Sequence, residues 1–481
     1  MESGNFELNV ARFIVEKTDM SLFLTGKAGT GKTTFLREVV RNTKKKCIVL
    51  APTGIAAVNA GAMTIHSFFQ FGLGPFVQGV IEPKSDFRIN KSKLELIRNL
   101  QLLIIDEVSM VRADLMDHID VELRRIRRNS KPFGGVQLLL IGDLQQLPPI
   151  AHGSEDDLLR QYYKTLYFFS STALKSMKYS CIELKNVYRQ TDRHFIDILN
   201  RARECTLTYQ DIADLNDRFI PGFSPKPEEG YIRLMTHNRQ VDNINETELA
   251  KLDSHAYTFE AAVTGTFPEE SFPTANSLTL KKGAQVMFIK NDPERRFING
   301  TLGEVRSIDK NSIAVRLAES GKTIDVEPME WQNIRYQFDE ESKEISSKQI
   351  GRFKQFPLKA AWAITIHKSQ GLTFDKAIVD VHAAFSPGQA YVALSRCRTL
   401  EGLVLSAPIC ASVFRKDNAV DAFLSYIYRP VEELAFSSCY EYFEYEKKPE
   451  PEEVAPAAEV NADKREVPVE IPDTALAREL K

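Results

Sequence analysis

The sequence predicts an α/β fold with two parallel-sheet domains and two small insertions. Short, continuous apolar runs occur in two groups, one within residues 21–146 and one within residues 231–406. Continuous runs are typical of parallel strands that are buried on both faces. Residues 281–351 differ, because turn residues separate short strand-like stretches about every eight to twelve positions, a pattern typical of a small β-barrel.

Four runs of the first group predict the strands of the first sheet. They are SLFLTG (21–26), KCIVLAPTG (46–54), LQLLIIDEV (100–108) and VQLLLIGDLQQ (136–146), and each ends in polar residues or glycine. Ligands of open parallel sheets bind at the carboxyl ends of the strands, so we expect functional groups there. Residues 70–98 interrupt the pattern with glycine, proline and charge, which predicts a small excursion from the sheet.

The second group predicts a second parallel sheet. Its runs are YIRLMTHN (231–238), AAWAITI (360–366), DKAIVDV (375–381) and LEGLVLS (400–406). We therefore assign residues 1–187 to the first domain, 188–280 plus 352–430 to the second and 281–351 to the insertion. Residues 431–481 are rich in Pro, Glu and Ala, which predicts a C-terminal helix and a disordered acidic tail.

Composition limits the class of protein. The chain has 481 residues, 43% of them hydrophobic, and no run of 18 apolar residues, so we expect no transmembrane helix. The first residues show no signal peptide and the six cysteines form no CxxC pair, which favours a cytoplasmic protein with reduced thiols and no structural zinc. Net charge is −3, and ten acidic and six basic residues in 446–481 give that segment −4, which leaves the rest at +1.

GKAGTGKTT (26–34) predicts a nucleotide site. It fits the G-x-x-x-x-G-K-[ST] phosphate loop, follows an apolar run and opens a helix-like stretch. Backbone N–H groups of the loop wrap phosphates, Lys32 reaches the β- and γ-phosphates, and Thr33 ligates Mg²⁺. The predicted nucleotide-binding residues here are Gly26, Ala28, Gly29, Thr30, Gly31, Lys32, Thr33 and Thr34.

Two further strand ends predict hydrolase chemistry. In LLIIDEVSM (102–110), we expect Asp106 to hold Mg²⁺ and Glu107 to polarise the attacking water. In LLLIGDLQQLPPI (138–150), Gln146 is a candidate sensor of the γ-phosphate or water, although an ordinary proline-terminated turn is an alternative. Kinases, transporters, recombinases and motors share such sites, so these motifs do not define the function.

The second domain contains candidates for completing the ATP site. Arg189 in NVYRQ and Arg396 in VALSRCR occupy polar contexts from which a guanidinium can reach ATP bound by the first domain. Such arginine fingers stabilise transition-state charge. For either residue alone, a surface or salt-bridge arginine is the alternative.

The ordered motifs resemble those of superfamily 1B DNA helicases. GKAGTGKTT, APTGIAAVNAGAMTIHSFF, LLIIDEVSM, LLIGDLQQLPPI, NVYRQ, AITIHKSQGLTF and VALSRCR occur in the family's order, over roughly residues 9–406. The petite-integration-frequency (PIF) family is the nearest match, with RecD-like helicases next, and DHIDVELRRIRRNSKPFGG (117–135) resembles its signature. Its members act in DNA repair, recombination and telomere maintenance.

The resemblance implies a fold and a function. It implies two RecA-like motor domains, a wedge domain at 70–98 and an SH3-like barrel at 281–351. It implies an ATP- and Mg²⁺-dependent helicase that moves 5′ to 3′ on single-stranded DNA, unwinds junctions and works as a monomer or as a dimer on DNA. A superfamily 1 RNA helicase, a RecA-type recombinase and a protein-remodelling ATPase are the alternatives.

The resemblance also assigns residues. Arg189 and Arg396 become the fingers, Gly371 lies near the γ-phosphate, and Asn9 stands where the family has an adenine-recognising glutamine. The implied DNA contacts are Thr53, Gly54, His66, Phe68, Pro148, Thr236, Asn238, Thr365, His367, Lys368 and Ser369. Hydroxyls and amides suit phosphates without reading bases, and Phe68 or Pro148 can abut a base. Core positions are the alternative for His66 and Phe68.

Overall fold

The fold is described from a computed structural model. It describes residues 6–428 except 73, 82–90, 152, 187, 189–191, 227–228, 268, 270–271 and 339–344. The predicted finger Arg189 and the predicted tail 431–481 lie outside the described residues. Within the described part of the chain, no helix is long and apolar enough to cross a bilayer.

Six strands form the first sheet, in the order β3-β2-β4-β5-β1-β6. All neighbouring strands are parallel, as the continuous apolar runs predict. The strands are β1 (Ser21–Gly26), β2 (Cys47–Ala51), β3 (Met63–Thr64), β4 (Leu102–Ile105), β5 (Gln137–Ile141) and β6 (Tyr179–Leu184). Consecutive side chains of β1 pack into two different hydrophobic clusters, one on each face of the sheet. Phe23 belongs to the first cluster, and Leu22 and Leu24 belong to the second. Both faces are therefore buried.

Among the described residues, eight α-helices accompany this sheet. They are α1 (Phe6–Lys17), α2 (Lys32–Asn42), α3 (Gly54–Ala60), α4 (Ile65–Phe69), α5 (Lys91–Asn99), α6 (Ala113–Arg127), α7 (Ser154–Leu159) and α8 (Thr172–Lys175). Helix α5 lies in the segment predicted to be a wedge, yet Leu96 and Ile97 are fully buried in the first-domain core. The described residues before α5 also contact the first domain, since Phe71 packs against its core and Val77 packs against Ala113 of α6.

The next elements begin the second domain and lead into the β-rich insertion. They are α9 (Arg193–Glu204), α10 (Tyr209–Asn216), β7 (Ile232–Met235), α11 (Asn238–Ala250), β8 (Ala256–Glu260), β9 (Ala262–Gly265), β10 (Ser277–Lys281), β11 (Gln285–Phe288), β12 (Leu302–Ile308), β13 (Ile313–Leu317), β14 (Thr323–Val326), β15 (Met329–Phe338), β16 (Ile345–Gln355) and β17 (Leu358–Ala360). The insertion contains a five-stranded antiparallel sheet, β14-β13-β12-β11-β17, around buried Val286, Phe288 and Val315. Its strands run from Ala256 to Ala360, beyond both ends of the predicted range 281–351.

The chain then completes the second parallel sheet. The remaining elements are β18 (Ala363–Thr365), β19 (Ala377–Val379), α12 (Gln389–Leu394), β20 (Leu403–Leu405) and α13 (Asn418–Ile427). The order is β18-β7-β19-β20, and every pair is parallel. The predicted α/β class with two parallel sheets is confirmed.

Helix α13 returns to the first domain, which the division at 188–280 plus 352–430 did not foresee. Val420 is buried in the first-domain core. The ring of Phe423 stacks on Phe169 with centroids 4.1 Å apart. Just before the helix, Asp417 accepts a 2.9 Å hydrogen bond from the Tyr167 hydroxyl. The C-terminal end of the described chain therefore packs against the first domain after the chain has completed the second domain.

An aromatic stack ties the start of the 70–98 segment to α6. The imidazole of His118 lies between Phe71 and Phe76, with centroid distances of 3.5 and 4.0 Å and nearly parallel planes. Burial lowers the pKa of His118 to about 4, and the nearby His66 contributes to the drop. The stack therefore favours a neutral imidazole.

We expect acid to weaken this stack. Below pH 6.5 the unfolded chain binds a proton at His118, whereas the folded chain resists it down to about pH 4, so stability falls as pH falls through that window. Between pH 7 and 5, wild type should lose about 1 kcal/mol more unfolding free energy than His118→Phe, after allowance for solvent screening. Urea denaturation at both values measures this. The exposed His255→Phe serves as control, and equal losses in wild type and His118→Phe would contradict the expectation.

Candidate ATP and DNA site

The phosphate loop connects β1 to α2 and shapes a cradle of backbone groups. Gly31 precedes α2 in a left-handed conformation, with φ of 91°, which favours glycine. The Lys32 ammonium donates to the carbonyls of Gly26 and Lys27 at 2.5 and 3.0 Å. The Thr30 hydroxyl also donates to the Lys27 carbonyl. The loop is thus held by its own side chains, with Thr33 and Thr34 exposed beyond it.

The predicted acidic pair follows β4, two strands from β1 in the sheet order. The Asp106 carboxylate accepts the backbone N–H of Glu107 at 3.0 Å. Glu107 adopts φ 52° and ψ 43°, a left-handed conformation that is uncommon for a residue other than glycine. Such strain concentrates at functional sites and here aims the carboxylate away from the strand.

The surroundings of the acidic pair raise the proton affinity of both carboxylates. Burial raises the pKa of Glu107 to about 7, and the negative charge of Asp106 adds to the rise. The positive charges of Lys32 and Arg396 oppose it. Burial also raises the pKa of Asp106. A carboxylate whose pKa lies near neutrality is matched to accepting a proton from water.

The end of β5 lies between these two sites. The Asp143 carboxylate accepts hydrogen bonds from the Gln146 amide at 3.1 Å and from the Arg203 guanidinium at 3.1 Å. The positive charge of Arg203 leads the groups that hold the pKa of Asp143 below its usual value against the effect of burial. Gln146, predicted to sense phosphate or water, is buried beside this pair. The three neighbouring strands β4, β5 and β1 thus bring the predicted hydrolase groups to one edge.

The HKSQG loop follows β18 and faces this edge. A cleft of about 660 Å³ lies between the domains and the β-rich insertion. Its lining residues come from all three parts and include Thr33, Thr53, Asp106, Glu107, Lys290, His367, Lys368, Gln370 and Gly371. Thr33 and Asp106 supply a hydroxyl and a carboxylate, hard oxygen ligands of the kind that Mg²⁺ takes together with phosphates, so the donor set fits this ion.

Arg396 is buried inside the second domain. It is 1% exposed, and its guanidinium donates to the carbonyls of Val392 and Leu372 and to the Ser395 hydroxyl. Its charge nevertheless acts on Glu107 in the other domain. The structure therefore places this predicted finger near the acidic pair.

Four functional candidates were not found from the motifs. Gln370 donates its amide to Glu107 at 3.0 Å, and Arg203 pairs with Asp143 across the domains. The hydroxyl of Tyr391 accepts the N–H of Ala28 in the phosphate loop at 3.3 Å. Tyr188 is 63% exposed beside Gly31, and its backbone N–H donates to Gly29. Gln370 lies inside the HKSQG motif and Tyr391 lies directly before VALSRCR. Their proximity to these motifs was the sequence signal that could have identified them as site residues.

The predicted DNA contacts fall into two groups. Gly54, Asn238 and Lys368 are exposed, and Thr53, His66, Pro148 and His367 are partly exposed. Burial lowers the pKa values of His66 and His367. A Cβ added at Gly54 would meet no atom within 4 Å, so a strand can approach its backbone closely.

The second group of predicted contacts is buried in this structure. Phe68 is 1% exposed in the first-domain core, so its ring is not available to a base. The Ser369 hydroxyl donates to the Ile366 carbonyl, and the Thr365 hydroxyl accepts the N–H of Lys368. Thr236 is buried, and its hydroxyl forms a hydrogen bond with Nδ1 of His237. These three polar residues shape the loops that carry the exposed contacts. Asn9 lies partly buried on α1.

Comparison with known proteins decides the family. Residues 6–211 match the model for PIF1-like helicases. The ATP-dependent DNA helicase Pif1 of Bdellovibrio bacteriovorus is 32% identical over 391 residues, covering 80% of this chain and 84% of that protein. The chain belongs to the PIF1-like helicase family. The family, the fold class and the enzyme class predicted from the motifs, an ATP-dependent DNA helicase, are confirmed.

Solved PIF1 structures extend the likeness to nearly the whole fold. Pif1 from Bacteroides sp in complex with ADP-AlF4 is 40% identical, with a TM-score of 0.81 and coverage of 89% of this chain and 97% of that one. Bacteroides Pif1 bound to single-stranded DNA is also 40% identical, with a TM-score of 0.65 and coverage of 88% and 96%. The fold of the present chain thus superposes more closely on the first of these two structures.

We predict that the buried Arg203–Asp143 pair is a strong domain anchor. Arg203→Met should lower the unfolding free energy by about 3–5 kcal/mol, because Asp143 is left buried and uncompensated. The double variant with Asp143→Asn should recover more than half of the loss. Urea denaturation measures both. As control, Lys251→Met breaks an exposed pair with Glu248 and should cost about 0.5 kcal/mol or less. A small effect of Arg203→Met would refute the anchor.

Proposed function

We propose that the chain is a 5′-to-3′ DNA motor that hydrolyses ATP in the cleft between its two parallel-sheet domains and unwinds duplex DNA at junctions. The observation that carries this is the contact between HKSQG and the acidic pair, where the Gln370 amide reaches Glu107 across 263 positions of sequence. A loop that joins the hydrolytic carboxylate to the cleft-facing His367 and Lys368 links the two activities that a helicase must couple.

ATP binding falls to the first domain. Backbone N–H groups from Gly29 to Thr34 surround the phosphates, and Lys32 exchanges its bonds to the loop carbonyls for the β- and γ-phosphates. Thr33 and Asp106 would hold Mg²⁺, which supplies charge neutralisation for the phosphates. The exposed ring of Tyr188 beside Gly31 offers a face for the base, and Asn9 offers an amide for the adenine edge.

Hydrolysis requires groups from both domains. Glu107 accepts a proton from the attacking water, and Gln146 orients that water. Arg396 and Arg189 supply positive charge to the transition state. For Arg396 this requires that the guanidinium leave its carbonyl partners when the cleft closes. Gly371, on the cleft wall, provides a backbone N–H for the γ-phosphate.

The DNA strand runs over the loops at the carboxyl ends of both sheets. Thr53, Gly54 and His66 contact it from the first domain, and Asn238, His367 and Lys368 contact it from the second. These groups can bind phosphates and do not distinguish one base from another. A motor that moves along any sequence requires such contacts. Alternate closing and opening of the cleft moves one set of contacts relative to the other.

Junction DNA is the proposed substrate for unwinding, with the segment before α5 as the separating wedge. A solved Pif1 structure, 39% identical to this chain, concerns DNA unwinding at forked duplex DNA by two coordinating Pif1 helicases. The present chain is proposed to act as a monomer, with a second copy recruited at forks.

ATP hydrolysis without nucleic acid, with single-stranded DNA and with RNA of the same sequence tests this function. We expect strong stimulation by DNA, followed by displacement of duplexes that carry a 5′ tail and not of those with a 3′ tail. Equal stimulation by RNA would favour an RNA helicase. The absence of stimulation by either would refute the motor.

Glu107→Gln tests the hydrolytic role. The amide cannot accept a proton, so kcat should fall about 10²–10⁴-fold while the KM for ATP stays within a few-fold. Steady-state hydrolysis with saturating DNA measures both. Glu248→Gln, on the surface of α11, is the matched control and should keep wild-type rates. Near-normal turnover by Glu107→Gln would remove this residue from the mechanism.

A further inference from the structure

The amide of Gln370 engages both groups that handle water in the proposed mechanism. Its Nε2 donates to Glu107 Oε2 at 3.0 Å and lies 3.5 Å from Gln146 Oε1. Gln370 and Gln146 are each 7% exposed, so water competes little for these bonds. One side chain of the second domain therefore contacts two functional side chains of the first domain.

These contacts leave the hydrolytic groups engaged with protein. A base must present a carboxylate oxygen to the water proton, yet Glu107 Oε2 accepts the Gln370 amide. Gln146 is engaged at both ends, since its Nε2 donates to Asp143 while its Oε1 faces Gln370. The contacts of Gln370 therefore occupy one oxygen of the base and complete the engagement of Gln146 at both ends.

The position of Gln370 is fixed by a compact turn. The N–H of Ser369 donates to Thr365, the N–H of Gln370 donates to His367, and the Ser369 hydroxyl donates to Ile366. His367 and Lys368, on the same turn, line the cleft. A phosphate that displaces His367 or Lys368 must therefore move Gln370 with them.

We propose that Gln370 is a positioning residue that restrains Glu107 until a DNA strand on the 367–369 turn withdraws its amide. Hydrolysis then depends on DNA because the base is free only when the strand is bound. This restraint rests on the proposed role of Glu107 as the base and adds the means by which DNA regulates it.

Gln370→Ala tests the restraint in the full chain. Without DNA, kcat should rise on the order of tenfold, the size of one charge-assisted hydrogen bond. With saturating oligo-dT, kcat should not rise, so the stimulation ratio should fall about tenfold while the KM for ATP stays unchanged. Gln370→Met, which keeps the size but removes the amide donor, should act in the same direction. The exposed Gln161→Ala is the control.

The outcomes separate this restraint from the proposed function. The restraint would be overturned if Gln370→Ala left the kcat without DNA unchanged or lowered it. An equal fall of kcat with and without DNA would also overturn it. Fluorescence anisotropy with labelled oligo-dT should show unchanged affinity, and a lost ratio caused only by lost DNA binding would also overturn it. Glu107→Gln combined with Gln370→Ala should stay inactive in every condition. If wild type itself ignores DNA, the motor function fails, whatever Gln370 does.

Discussion

Everything in this molecule depends on two parallel sheets that present their carboxyl ends to one cleft. Parallel pairing aligns the ends of β4, β5 and β1 on one side and of β18 and β7 on the other. Each strand end then contributes a loop whose polar groups cannot be buried inside a sheet. Residues from Thr33 to Gly371 share the lining of a single cavity for this reason.

The contacts between the two domains differ in strength. Arg203 and Asp143 are both almost fully buried, and a Cβ on Gly388 would lie 2.1 Å from the Gln146 carbonyl oxygen. Breaking such an ion pair costs about 3–5 kcal/mol. The single hydrogen bond from the Gln370 amide to Glu107 contributes about 1.5–3 kcal/mol. Gln146 connects the two contacts, since its Nε2 donates to Asp143 and its Oε1 faces Gln370. The contact of Gln370 is therefore the easier of the two to break.

Sequence reasoning succeeded where the signal was local. Continuous apolar runs predicted the strands, and their polar ends predicted the phosphate loop, the acidic pair and HKSQG. The burial of individual side chains depended on packing, which local signals do not carry. The aromatic Phe68 turned inwards because α4 lies against the first core, and Ser369 bonded its own loop. No local pattern reveals that Tyr391 meets Ala28 or that Arg203 meets Asp143, since each pair joins distant segments.

An amide is well suited to the position that faces the acidic pair. A guanidinium or ammonium at 370 would form a desolvated ion pair with Glu107, and such a pair is costly to break once formed. An alkyl side chain would make no directional bond and would leave the carboxylate free at all times. An amide NH₂ offers two donors, which matches the two acceptors Glu107 Oε2 and Gln146 Oε1. Its bonds are strong enough to orient the base, yet weak enough for the binding of one phosphate to break them.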